Sequence, residues 1–158
     1  MKSMLELLEN DATLTAEQLA AMLGTNAEDI RKEIRAYEKD GTIVGYKTLI
    51  DWDKTERTMV SAFIELKVEP QINRGFDEIA ERICNFPEVE SVYLMSGSFD
   101  IAVMLEGKTL REVAFFVAEK LSTMEGITGT ATHFVLRKYK DKNTIYRHAE
   151  VDERGTLD

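Results

Sequence analysis

The chain is short of positive charge, cysteine, histidine and long apolar runs, and each shortage removes a class of function. Its 158 residues hold 20 Lys+Arg against 29 Asp+Glu, a net charge of −9, and its pI lies near 4.8. Proteins that coat nucleic acid present a basic stripe and a high pI. A general coat protein is therefore excluded, and any DNA affinity has to come from a local basic face with little non-specific attraction. The single cysteine, Cys84, cannot form an internal disulfide and points to a reducing interior. It stands beside Ile83 in a helical pattern, where buried apolar packing is expected rather than a reactive thiol. No run approaches the roughly 18 apolar residues of a membrane span. The start MKSMLELL lacks the long apolar core of a signal peptide, so a cytoplasmic protein with no membrane partner is expected. Histidine occurs only at 133 and 148. There is no G-x-x-x-x-G-K-[ST] loop, no Cys/His metal spacing and no nucleophile elbow. No catalytic residue, metal or cofactor is expected.

What is present is concentrated first in Thr15 to Ile43, TAEQLAAMLGTNAEDIRKEIRAYEKDGTI. Thr15 with Gln18 makes a capping box, followed by Leu19, Ala20 and Leu23 at helical spacing. Gly24 suits the left-handed residue that ends a helix. Asn26 then caps a second helix with Ile30, Ile34 and Tyr37 on one side, and Gly41 stops it. Two short helices with a tight glycine turn form the helix-turn-helix pattern, whose second helix enters the DNA major groove. At about 100° per residue, Lys32, Arg35 and Lys39 fall opposite the apolar side, with Arg31 at the flank. Such a face suits phosphates, and arginine also reads guanine. It is equally what a solvated helix shows, with Glu28 and Lys32 as an ordinary i,i+4 pair. Glu28 points outward in the first turn, where it repels phosphate unless it accepts a cytosine amino group. Asn26, Glu28, Arg31, Lys32, Arg35 and Lys39 are the candidate DNA-binding residues. Met1 to Arg57 holds 8 basic and 12 acidic residues, a net of −4, which predicts weak binding by one copy and dependence on dimers or larger assemblies.

After the polar segment Asp51 to Thr58, MVSAFIELKVE alternates Ala62, Ile64, Leu66 and Val68 with Ser61, Phe63, Glu65 and Lys67, a strand signal. Phe76, Ile79, Ala80 and Ile83 follow at helical spacing, before Pro87. Val89 to Met95 and Ile101 to Leu105 flank Ser96-Gly97-Ser98-Phe99-Asp100 and predict a hairpin. Thr109 to Glu112 is a capping box opening a helix with Leu110, Val113, Val117 and Leu121, and Thr128 to Lys138 is a final strand. The order β-α-β-β-α-β is the ferredoxin-like arrangement, an antiparallel sheet with both helices on one face. The strand Ile101 to Leu105 is nevertheless apolar on both faces, and Phe63, Tyr93, Met95 and Met104 are candidates for the uncovered side. An exposed apolar sheet face marks a subunit interface, and a homodimer suits DNA half-sites related by a two-fold axis.

The segments LTAEQLAAMLGTN, IRKEIRAYEKDGTIVGY, GSFDIAV with its G-x-x-D, and GITGTATHFVLRK, in this order, resemble the Lrp/AsnC (feast/famine) family of transcription regulators, from Leu5 to about Lys138. The resemblance implies an α+β chain with an N-terminal helix-turn-helix, winged-helix-like domain (1–50), a linker (51–58) and a ferredoxin-like effector-binding and oligomerisation domain (59–140). A polar tail, 141–158, is expected to be largely disordered. It implies sheet-to-sheet homodimers that assemble into tetramers or octamers on a pseudo-palindromic site in double-stranded DNA. It also implies a small-molecule effector, commonly an amino acid, held near Met95, Ser96, Gly97, Ser98 and Asp100. Gly97 would admit the ligand to the backbone, and Asp100 would hold its amino group or shape the loop. Two features depart from the family. The chain opens almost at once on MLELLEN, so a reduced arm contact between protomers is expected, and Glu28-Asp29 make the start of the recognition helix acidic. Siroheme decarboxylases share the architecture and are the rival reading, with His133 and His148 as the available histidines. An effector-sensing module with weak or no DNA binding is the third.

Overall fold

The computed structural model describes residues 3–69 and 75–147, and the chain divides into two compact units, Met1–Ile50 and Asp51–Asp158.

The first unit has three helices, α1 (Met4–Asn10), α2 (Ala16–Leu23) and α3 (Ala27–Asp40). Each starts on a side-chain cap that satisfies an amide otherwise left open at a helix end. Ser3 and Glu6 form a reciprocal box at α1, and Thr15 and Gln18 form one at α2. The Asn26 carboxamide oxygen accepts from the Asp29 amide at 2.9 Å to open α3. Gly24, at φ +71°, turns the chain from α2 into α3 in a conformation that costs an ordinary residue strain. Leu19 and Ile30 are fully enclosed with Met4, Leu8 and Ala20, and Ile34 and Tyr37 pack against that cluster. The apolar stripe of α3 thus faces α1 and α2, which leaves its charged side outward. Beyond Gly41, Thr42–Ile50 runs on without a paired strand.

The second unit is a four-stranded antiparallel sheet in the order β2-β3-β1-β4, built from β1 (Val60–Val68), β2 (Val89–Leu94), β3 (Ile101–Gly107) and β4 (Ile127–Phe134). Helices α4 (Asp77–Cys84) and α5 (Leu110–Phe116) cover one face, and α5 continues into a wide π turn over Val117–Leu121. Ala62, Ile64 and Leu66 from β1 and Ile101, Val103 and Leu105 from β3 are buried with Ile79, Ile83, Val113, Val117 and Leu121. The period-two alternation of β1 therefore reports its core face directly.

Several expectations need correcting. Leu110 is exposed rather than in the α5 stripe. Glu112 accepts from the Lys108 amide at 2.7 Å, so the reciprocal half of the Thr109 capping box does not form. Cys84 is exposed, because one residue past Ile83 the helix has turned about 100° away from the core. The last strand stops at Phe134 and not at Lys138: Phe134 pairs with Ala62, and one further bond, from the Val135 amide to the Ser61 carbonyl, closes the ladder. Beyond it, β5 (Lys140–Asp141) and β6 (Thr144–Ile145) pair as a small ribbon where the polar composition predicted disorder. The rest of that expectation, from His148 onward, lies outside the described residues.

Candidate functional site

The candidate DNA-binding residues all lie on the exposed side of α3, in an arrangement that the helix period alone does not disclose. Glu28 pairs with Arg35 at 3.5 Å and Arg31 at 3.8 Å, and not with Lys32. Arg31 also pairs with Glu17 in the first turn of α2. Sequence reasoning missed Glu17, since it stands fourteen residues from Arg31 and only the turn at Gly24 brings the two together. The Glu17 carboxyl is held below the ordinary carboxylate range, first by its own backbone amide and then by the Arg31 charge. Lys32 and Lys39 form no ion pair among the described residues. Asn26 is occupied with its cap, donating to and accepting from Asp29. The face thus offers two free ammonium groups and two guanidinium groups bound to carboxylates.

The candidate effector residues cluster in the loop between β2 and β3. Met95, Ser96, Gly97 and Ser98 are exposed and Asp100 is half-buried. Three hydrogen bonds set the loop. The Val68 amide donates to the Asp100 carboxylate at 2.8 Å, the Asp100 amide to the Leu66 carbonyl at 2.9 Å, and the Met95 amide to the Asp100 carbonyl at 2.8 Å. Val68 lies beyond Leu66, the last β1 residue with a partner on β3, so the carboxylate takes an amide that β3 leaves open. Asp100 therefore shapes the loop and has its second carboxylate oxygen left over. Gly97 has φ +136°, and a side chain there would meet nothing within 4 Å. Backbone conformation, not crowding, is what calls for glycine. A groove of about 560 Å³ opens elsewhere, over Leu105, Val113 and Phe116 with Arg111 and Glu119 at its edge, and none of the five loop residues lines it.

The register puts Phe63, Met104 and Tyr93 on the sheet face turned away from α4 and α5. Tyr93 and Met95 are exposed, and Phe63 and Met104 are half-buried. Phe99, which the sequence reading did not single out, packs edge-on against Phe63 at 6.0 Å. His133 lies on the same face with Nε2 3.3 Å from Glu65 Oε1 and its ring 6.1 Å from Phe63. His148, the other residue named for an enzymatic reading, lies outside the described residues. Among the described residues no His/Cys/Asp/Glu group is placed to hold a metal ion, and no helix is long and apolar enough to cross a membrane.

Comparison with known proteins bears on both units. Residues 61–145 match the Lrp/AsnC ligand binding domain. The HTH-type transcriptional regulator YugG of Bacillus subtilis (strain 168) is 41% identical over 151 residues, 95% of this chain and 91% of that protein. The fold is shared with Escherichia coli AsnC, at a TM-score of 0.66 and 19% identity over 92% of this chain and 93% of that one. It is shared too with the regulator NMB0573 of Neisseria meningitidis, solved as an L-Met complex, at a TM-score of 0.71 and 20% identity over 87% and 88%. With a matched domain over more than half of its length and a relative alike from end to end, the chain belongs to the Lrp/AsnC family of HTH-type transcriptional regulators.

Proposed function

We propose that the chain binds a two-fold-related DNA site through α3 as a homodimer or larger assembly, and that an amino acid bound near the 95–100 loop changes that assembly. The observation that carries the reading is α3 itself. Its apolar stripe is locked by Leu19 and Ile30, its N-terminus is open to solvent, and Lys32, Arg35 and Lys39 lie outward. This is the disposition by which a second helix reads a major groove. The sheet face with Phe63, Tyr93, Phe99 and Met104 supplies the dimer contact, because a second copy buries the apolar surface that neither α4 nor α5 covers.

An L-Met complex in a protein of the same fold supports an amino acid as the effector class. The Asp100 oxygen left over from Val68 suits an α-amino group, and the exposed Ser96 and Ser98 suit a carboxylate. Coupling requires that the ligand bind one assembly state more tightly than the other. The test is binding of the full chain to the promoter fragment of its own gene neighbourhood against a scrambled duplex, at low and physiological salt, with and without pooled amino acids. Saturable preference for the promoter, shifted by one pool, is the expected outcome. No preference at either salt from a folded oligomer would sink the reading.

A further inference from the structure

We propose that Glu28 is a specificity-setting residue. It holds Arg35 off phosphate, and releases it only where a base-edge donor takes its carboxylate. The inference rests on the DNA-binding reading above and adds the means by which an acidic unit rejects arbitrary duplex. Met1–Ile50 carries 6 Lys+Arg against 9 Asp+Glu, a net of −3. Of the four cations on the outward side of α3, the two that can bond bidentately to phosphate or guanine are the two arginines. Both are paired with Glu28, and Arg31 is held a second time by Glu17.

Glu28 is the second residue of α3, in the turn whose side chains reach base edges in a docked helix-turn-helix. Non-specific binding rests on phosphates, which repel the carboxylate and must take Arg35 from it. A cytosine N4 amino group is a donor that a glutamate accepts in the major groove. At such a base Glu28 exchanges Arg35 for the amino group, and that guanidinium turns to phosphate or guanine while Arg31 stays with Glu17. The neighbouring Asp29 has no part in this, since its backbone amide and its carboxylate are both bonded to Asn26.

The experiment uses the full chain as wild type, Glu28→Gln, Arg35→Ala and the double variant. Fluorescence anisotropy measures binding to the promoter duplex and to a scrambled duplex between 50 and 200 mM salt. Elution from immobilised heparin reads the release of Arg35 without any base sequence. An exposed ion pair corresponds to a factor of about 1.4 to 5, so two engaged helices predict a gain of about 2- to 25-fold on the scrambled duplex for Glu28→Gln. The salt slope steepens by about 0.9 per helix as one more positive charge is exposed. The promoter duplex gains less, so discrimination falls. Heparin elution moves to higher salt, and most of each gain disappears in the Arg35→Ala background. Unchanged scrambled-duplex and heparin binding would overturn the proposal. So would a gain of equal size on both duplexes, or one that survives Arg35→Ala, because Glu28 would then act by plain repulsion. If none of the four proteins binds DNA, the regulator reading fails. Heparin elution then still decides: a shift that the Arg35→Ala background removes means a held arginine, and no shift, or one that survives there, overturns the proposal.

Discussion

Replacing Asp100 with alanine removes the acceptor that the Val68 amide reaches across 32 positions of sequence. Val68 is buried and lies past Leu66, where the pairing of β1 with β3 ends, so neither water nor that strand readily replaces the lost oxygen. A hydrogen bond to a charged acceptor contributes about 1.5–3 kcal/mol, and leaving a buried amide open costs a comparable amount. With Asp100 half-buried, a loss of roughly 2 kcal/mol is expected. For a unit of this size each kcal/mol lowers the midpoint by about 4–8 °C, so thermal melting should fall by roughly 8–16 °C. Asp100→Asn keeps an acceptor oxygen in place and loses only the charge, which should cost about half as much. Circular dichroism melts of the full chain decide the matter. A midpoint for Asp100→Ala within about 2 °C of wild type would refute the reasoning, as it falls below the effect of even a weak bond. The same pair of variants separates the two roles of the residue. Asp100→Asn should fold and bind DNA as wild type does while responding poorly to an amino acid effector, because the oxygen left for the ligand no longer carries charge.

Other perturbations test the remaining parts. Gly126→Ala forces a side chain into φ +91° with its Cβ 2.7 Å from the Ile79 Cδ1 atom, and urea unfolding should show a loss of roughly 2–4 kcal/mol; wild-type stability would mean that Ile79 yields freely. Lys32→Ala should weaken binding to promoter and scrambled duplex alike and make the salt slope shallower by about 0.9 per helix; an unchanged slope would take Lys32 off the phosphates. Phe63→Glu on the uncovered sheet face should shift sedimentation toward monomer, and a dimer of undiminished strength would move the interface elsewhere. Asp11, Glu17 and Asp40 titrate below the ordinary carboxylate range, mainly through hydrogen bonds from Thr13, the Glu17 amide and Thr42 respectively. Because folding lowers these values, their contribution is complete above the unfolded values and is lost as pH falls through the folded ones. Urea midpoints of the helical unit should therefore drop below about pH 4, and the Asp11→Asn, Asp40→Asn variant should show a flatter acid limb.

Much of the architecture is written in local pattern. The capping box at Thr15, the glycine at 24 and the Asn26 cap each act within four residues, so the sequence locates the starts of α2 and α3 without knowledge of the core. The equally local box at Ser3 is one that the sequence reading did not single out. The alternation of Ala62, Ile64, Leu66 and Val68 likewise names the buried face of β1. The errors share one origin. Leu110 and Cys84 sit at the borders of apolar stripes, where exposure depends on how the helix is rolled on the sheet. The last strand ends where its own pairing with β1 ends, at Phe134 against Ala62, a length that β4 does not carry in its own residues. Phe99 became legible only through its contact with Phe63.

The sequence by itself determined the helix-turn-helix, the βαββαβ order and the identity of the outward cations, because caps, periodicity and turn residues act over a few positions. Only the tertiary structure decided what those cations are doing. Glu17 meets Arg31 because α2 and α3 cross on Leu19 and Ile30, and the Asp100 carboxylate meets Val68 because β3 pairs with β1. Both contacts join residues far apart in the chain. Their existence follows from the packing angle of two helices and the register of two strands, quantities that no local pattern encodes.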